Sequence, residues 1–290
     1  MPNAVRARAT AAVGGALLLA VATANSAVAA PPGKYVSLGD SYVSGPLIPS
    51  QVNLGCLRSN QNYPSLVAAA EGVSAFTDES CGAATTDDMT QSQADGPITV
   101  NGPQLDAVTS DDALVTFGIG GNDIGFISII ATCAAESLTS PFGSPCTAHY
   151  TSGGTDQLAA AINATAPKVG AVLQAIHQRA PRAKVLVVGY PDILPEYSNG
   201  CWPLEAIAYG DVSYLRATEK RLNSMLANEA AVNNAQYVDT YTSTIGHDVC
   251  QAPGTKWIEG LVPLAPAAPF HPNALGEAAM ARAVEAALGP

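Results

Sequence analysis

Apolar and polar positions along the chain follow two periods. Short, nearly unbroken apolar runs read as strands buried on both faces: Lys34–Leu38, Val73–Thr77, Ala113–Ile119, Lys184–Gly189 and Gln236–Asp239. Between them lie longer stretches with apolar residues three and four apart, which read as amphipathic helices. These cover Tyr63–Glu71, stopped by Gly72, then Ile124 to about Ala135, Asp156–Ala180 and Tyr209–Asn233. A last helix opens at Pro272, a favoured first-turn residue, and runs to Leu288. Pro167 falls in the middle of the third helical stretch and is expected to break or restart it. Cys133–Gly154 and the proline-rich segment Thr240–Phe270 read as loops. Strands that alternate with helices imply a mostly parallel five-stranded sheet covered on both faces, an α/β domain built as a three-layer α/β/α sandwich.

The N-terminus departs from this pattern. Arg6 and Arg8 precede an apolar run from Ala11 to Ala24, and Ala27-Val28-Ala29 offers small residues for cleavage. This is the pattern of a secretory signal peptide over residues 1–29, too short and alanine-rich for a membrane anchor. Residues 30–290 then form a single exported domain without internal repeats or a linker. Without residues 1–29 the chain keeps 11 Lys and Arg against 24 Asp and Glu, a net charge of −13. That charge argues against nucleic acid and anionic membrane as partners, and no stable membrane insertion is expected. A monomer is expected.

Export changes how the six cysteines are read. An even count in an oxidising compartment suits three disulfides, and sequential neighbours would each close one loop-rich segment: Cys56–Cys81, Cys133–Cys146 and Cys201–Cys250. Neither a CxxC spacing nor a His/Cys cluster points to metal, and no cofactor is expected.

Candidate chemistry gathers where strands end, because ligands of open parallel sheets bind outside the carboxyl ends of the strands. Three such ends carry small or polar turns: Gly39-Asp40-Ser41, Gly82, and Gly120-Gly121-Asn122-Asp123. Acyl transfer through serine needs a nucleophile, a base and donors for the developing oxyanion. Ser41 offers the first, and a glycine N–H at 82 with the Asn122 amide offers the last. Singly, each residue is ordinary turn or cap chemistry. Asp40 suits holding the turn. Of four histidines, His149, His177 and His247 lie in loops or on a solvated helix face. His271 sits before the last helix, where the loop from the fifth strand returns over the sheet edge.

Gly39-Asp40-Ser41, Gly82, Gly120-x-Asn122-Asp123 and Phe270-His271-Pro272-Asn273 follow the order of the four blocks of the SGNH (GDSL) hydrolases. The chain therefore resembles that family, and its cysteines and export signal resemble the secreted actinobacterial esterase/lipase branch. The resemblance implies a flavodoxin-like strand order, Ser41 as nucleophile and His271 as general base. It also implies an oxyanion hole of the Ser41 N–H, the Gly82 N–H and the Asn122 side chain. One departure stands out: Ala268 occupies the position where the family usually has an aspartate three residues before the histidine. A backbone carbonyl can accept the imidazole Nδ1–H without charge, and the resemblance to secreted members with a Ser-His dyad, which use the carbonyl at this position, implies that the Ala268 C=O orients His271. Asp239 or Asp248 is the alternative. The implied activity is hydrolysis of carboxylic esters by a secreted esterase or lipase, acting on acyl lipids or small acyl esters. Phospholipid esters, acetyl esters on polysaccharide, and a non-catalytic binding protein on the same scaffold are the other readings.

Overall fold

The apolar runs meet in one sheet. The computed structural model describes Met1 and residues 33–289; the export-signal expectation concerns a segment that, Met1 apart, lies outside them. The five strands are β1 (Lys34–Gly39), β2 (Ala75–Asp78), β3 (Asp112–Gly118), β4 (Lys184–Val188) and β5 (Gln236–Val238). All pair in parallel, in the order β2-β1-β3-β4-β5. This is the doubly wound flavodoxin order, with its switch point between β1 and β3.

Side chains alternate across the sheet, and each face has its own core. Tyr35, Leu114, Leu186 and Val188 pack with Tyr63 and Val67 of α1 (Tyr63–Glu71) and with Met280 and Val284 of a C-terminal helix. Val36, Leu38, Val115, Phe117, Val185 and Val187 belong to the larger core on the opposite face. There α4 (Gln157–Arg179) and α5 (Val212–Val232) contribute Ile162, Val169, Leu173, Leu222 and Leu226. Burial on both faces explains why the strands read as continuous apolar runs.

Several details differ from the expectations of the sequence. The helix after β3, α2, is shifted to Phe126–Ser137, and the segment after it is not all loop, because α3 (Pro145–Thr151) forms there. Pro167 does not break α4, which continues through it. Only one backbone N–H is missing, and Thr165, Val169, Gly170 and Val172 are buried around it against the rest of the core. The last helix, α6 (Ala274–Leu288), begins after Pro272, because Asn273 supplies the cap that proline lacks: its Oδ1 accepts from the Leu275 and Gly276 N–H groups. Two short antiparallel hairpins, Gln51–Asn53 with Arg58–Ser59 and Gln93–Asp95 with Ile98–Asn101, fold over the carboxyl edge of the sheet. Both are too short to show a two-residue period. Among the described residues no helix is long and apolar enough to cross a membrane.

Candidate active site

Ser41 stands at the end of β1 because several bonds fix the turn there. Gly39 has φ 155°, and a Cβ on it would strike Val43 and the Gly118 carbonyl. The buried Gln104 amide clamps Gly39 on both sides, accepting from its N–H at 2.8 Å and donating to its C=O at 2.9 Å. Asp40 caps the one-turn helix Ser41–Ser44, its Oδ1 accepting from the Tyr42 N–H at 2.9 Å. Its Oδ2 accepts from the Tyr190 hydroxyl at 2.5 Å, and that hydroxyl accepts in turn from the Gly121 N–H at 2.8 Å. Burial pushes the Asp40 carboxyl up to about 7, against the pull of these donors. Asp40 thus ties the turn after β1 to the turn after β3.

His271 meets Ser41 across 230 residues of sequence: Nε2 lies 2.7 Å from Oγ. Nδ1 lies 2.7 Å from the Pro269 carbonyl. A carbonyl only accepts, so Nδ1 carries the proton and Nε2 is left to accept from the serine hydroxyl. The acceptor is Pro269 and not Ala268 as expected. The Ala268 carbonyl already closes a turn by accepting from the His271 backbone N–H at 3.2 Å, which leaves the next carbonyl facing the ring. Phe270, at φ 60°, makes this tight reversal. Glu259 brackets it, its carbonyl accepting from the Phe270 N–H and its N–H donating to the His271 carbonyl, each at 2.9 Å.

Tyr42, one residue after the serine, carries much of the remaining support. Its ring stacks on the imidazole with centroids 4.7 Å apart, and its hydroxyl donates to the Phe270 carbonyl at 2.6 Å. Phe126 closes in edge-on at 6.2 Å. So enclosed, His271 has its pKa lowered to about 4 by burial, which the bond to Pro269 only partly offsets. Neither alternative carboxylate serves it. Asp239 accepts from the backbone and hydroxyl of Thr242, and the buried Asp248 accepts from the Cys250 N–H and the Gln251 amide. The other histidines are engaged elsewhere or lie apart: His149 on Glu136, His247 on the Thr255 carbonyl, and His177 on α4.

The two remaining strand-end loops are bonded to each other. Asn122 donates from Nδ2 to the Ala84 carbonyl at 2.9 Å, and the fully paired Asp123 accepts from the Thr86 N–H at 3.0 Å and from its hydroxyl at 2.5 Å. The first bond leaves Asn122 one amide hydrogen. Gly82 differs from the expectation: its N–H donates to the Cys56 carbonyl at 2.8 Å and is not available to a ligand. The next N–H is the open one. Ala83 sits at φ 62° in the left-handed region, and its N–H, like that of Ser41, has no acceptor among the described residues. The disulfide Cys56–Cys81 holds this loop, and Cys133–Cys146 and Cys201–Cys250 pair as well.

Ser41, His271, Gly82, Ala83, Leu57 and Ile127 line an open cleft of about 430 Å³, whose rim includes Asp95. No group of three or more His, Cys, Asp or Glu side chains suited to a metal ion is present among the described residues. The sequence had not pointed to Tyr42, Ala83, Pro269 or Phe126. Only Tyr42 carried a signal, its adjacency to Ser41; Ala83 and Pro269 become visible through backbone geometry and Phe126 through ring packing.

Comparison with known proteins covers the same span. Residues 37–279 match the GDSL-like lipase/acylhydrolase family. Lipase 2 of Streptomyces coelicolor is 42% identical over 275 residues, covering 93% of this chain and 90% of its own. Lipase 1 of the same organism is 33% identical over 266 residues, 91% of this chain and 89% of its own. Among solved structures, phospholipase A1 from Streptomyces albidoflavus superposes with a TM-score of 0.73 at 27% identity, covering 88% of this chain and 99% of its own. An extracellular lipase from Streptomyces rimosus gives 0.70 at 29% identity with the same coverage.

Proposed function

The chain belongs to the GDSL-like lipase/acylhydrolase family and is an ester hydrolase, and from that premise we propose that it is a secreted serine esterase working through a Ser41–His271 dyad. The observation that carries the dyad is the 2.7 Å contact between Ser41 Oγ and an imidazole Nε2 whose Nδ1–H is held by the Pro269 carbonyl. In this reading Ser41 attacks the ester carbonyl carbon while His271 takes the hydroxyl proton, and the carbonyl oxygen becomes an oxyanion. The Ser41 N–H, the Ala83 N–H and the second Asn122 amide hydrogen receive that charge. The imidazolium then protonates the departing alcohol, leaving an acyl-enzyme. A water gives its proton to His271, attacks the acyl carbon, and returns Ser41 with a free carboxylic acid. The Pro269 carbonyl orients the ring without neutralising the imidazolium, so charge stabilisation rests on the oxyanion donors more than in a triad.

Leu57, Val100 and Ile127 make the cleft beside Ser41 largely apolar, and its charged rim residue, Asp95, is acidic. That favours a neutral carboxylic ester over one with a phosphate-bearing alcohol. Residues 1–29 are read as a cleaved export signal, in keeping with three disulfides.

Hydrolysis of p-nitrophenyl acetate and butyrate by purified Ser41→Ala tests the proposal. A loss of at least about 10⁴-fold is expected, with Ser41 as the residue labelled by an organophosphonate. Full activity in Ser41→Ala would overturn it.

A further inference from the structure

Next to the open cleft lies a second, narrower space that the dyad does not use. It is a slot between α2 and α5, closed from above by the loop after β4. Phe126, Ile129 and Ile130 of α2 form one wall, and Leu215, Thr218 and Glu219 of α5 the other. Each wall is an i, i+3, i+4 set, so each helix turns one face into the slot. Gly121, next to Asn122, lies at one edge, and Ile124, Tyr190, Ile193 and Leu194 complete an almost wholly apolar lining.

The slot meets the reaction centre at the first turn of α2. Adjacent residues there face different spaces, Phe126 the slot and Ile127 the open cleft. Phe126 is also edge-on to both His271 and Tyr42. An ester bound at Ser41 has two arms that diverge from one carbonyl carbon, and two spaces diverge here from one residue pair.

Resting on the ester-hydrolase reading above, we propose that the slot takes the acyl chain of the substrate and the open cleft its alcohol, which makes the slot the determinant of acyl-chain length. Size sets the class of acid. The slot offers about 60 Å³, against about 430 Å³ for the cleft. One water needs on the order of 10–15 Å³ of such space, so a straight chain of roughly four to six carbons fills it. Filling an apolar slot contributes on the order of 0.8 kcal/mol per buried methylene, about a fourfold gain in rate for each carbon until the space is full. The polar edge does not oppose this. Burial pushes the Glu219 carboxyl upward, toward its neutral form.

A series of p-nitrophenyl esters from acetate to laurate, run on three proteins, tests this. The wild type should peak near butyrate to hexanoate. Ile130 is partly buried at the edge of the larger core, so Ile130→Phe adds its ring to the slot rather than to the fully buried interior. It should lower kcat/KM for hexanoate at least tenfold while acetate stays within about twofold. Leu215→Ala should move the optimum about two carbons longer. If both variants hydrolyse acetate normally and keep the wild-type chain-length profile, the acyl chain does not lie in the slot and the inference is overturned. If the wild type hydrolyses none of the esters, or Ser41→Ala hydrolyses acetate at full rate, the dyad reading itself falls.

Discussion

At the scale of single residues, the dyad depends on hydrogen bonds that no charge reinforces. His271 is held by one carbonyl, one stacked ring and a turn whose middle residue lies in the left-handed region. Tyr42 joins two of these supports, through its ring on the imidazole and its hydroxyl on the Phe270 carbonyl. Tyr42→Phe keeps the stack and leaves that carbonyl unpaired, which costs about 1–1.5 kcal/mol. We expect kcat to fall roughly five- to tenfold with KM within twofold, and Tyr42→Leu to lose more because the stack goes too. Steady-state kinetics decide it, and an unchanged kcat in Tyr42→Phe would show that the hydroxyl does not position His271. The pH profile carries a second prediction. A base must be neutral to act, and burial lowers the His271 pKa to about 4. The acid limb of kcat/KM is therefore expected well below the ordinary imidazole value of about 6.5. A limb near 7 would mean the ring is solvated or paired with a carboxylate.

At the scale of elements, the loops after β1, β2 and β3 behave as one unit. Asp40 reaches the third loop through Tyr190, Asn122 and Asp123 reach the second, and Cys56–Cys81 fastens the second to the loop after the Ser41 turn. These bonds hold Ala83 at a φ that costs a non-glycine residue on the order of 1–3 kcal/mol. Short range and long range conflict most openly at Pro167. Local chemistry favours a break, and burial of the α4 face against the core prevails. Pro167→Ala restores one backbone hydrogen bond and removes a ring clash, so it should raise stability by about 1–3 kcal/mol without touching the site. Urea unfolding of both proteins tests this, and a destabilised variant would mean the proline ring itself packs favourably.

At the scale of the whole molecule, burial of carboxyl groups shapes the response to pH. Asp40 and Asp192 are pushed up to about 7, and Glu277 well above the usual carboxylate range. Between their unfolded and folded pKa values the folded chain binds more protons, so stability falls as pH rises through that window. His271 works the other way between about 4 and 6.5, as a single group against several. The midpoint of thermal unfolding should therefore be at least about 3 °C higher at pH 5.5 than at pH 8, as scanning calorimetry would show. A midpoint that rose with pH would contradict this. The strands, helices and layer order were legible in the sequence because burial on both faces forces unbroken apolar runs and because parallel strands need helical crossovers. Ser41 and His271 were singly an ordinary turn serine and a lone histidine before the last helix, and they stood out because Gly82 and Asn122 complete with them the four-block order that resembles the SGNH hydrolases. Which carbonyl faces the imidazole, which N–H of Gly82-Ala83 stays open, and how α2 and α5 enclose a slot depended on the tertiary structure alone. Each is decided by a backbone dihedral or by helix packing between residues far apart in the chain, and neither leaves a periodic trace in the order of side chains.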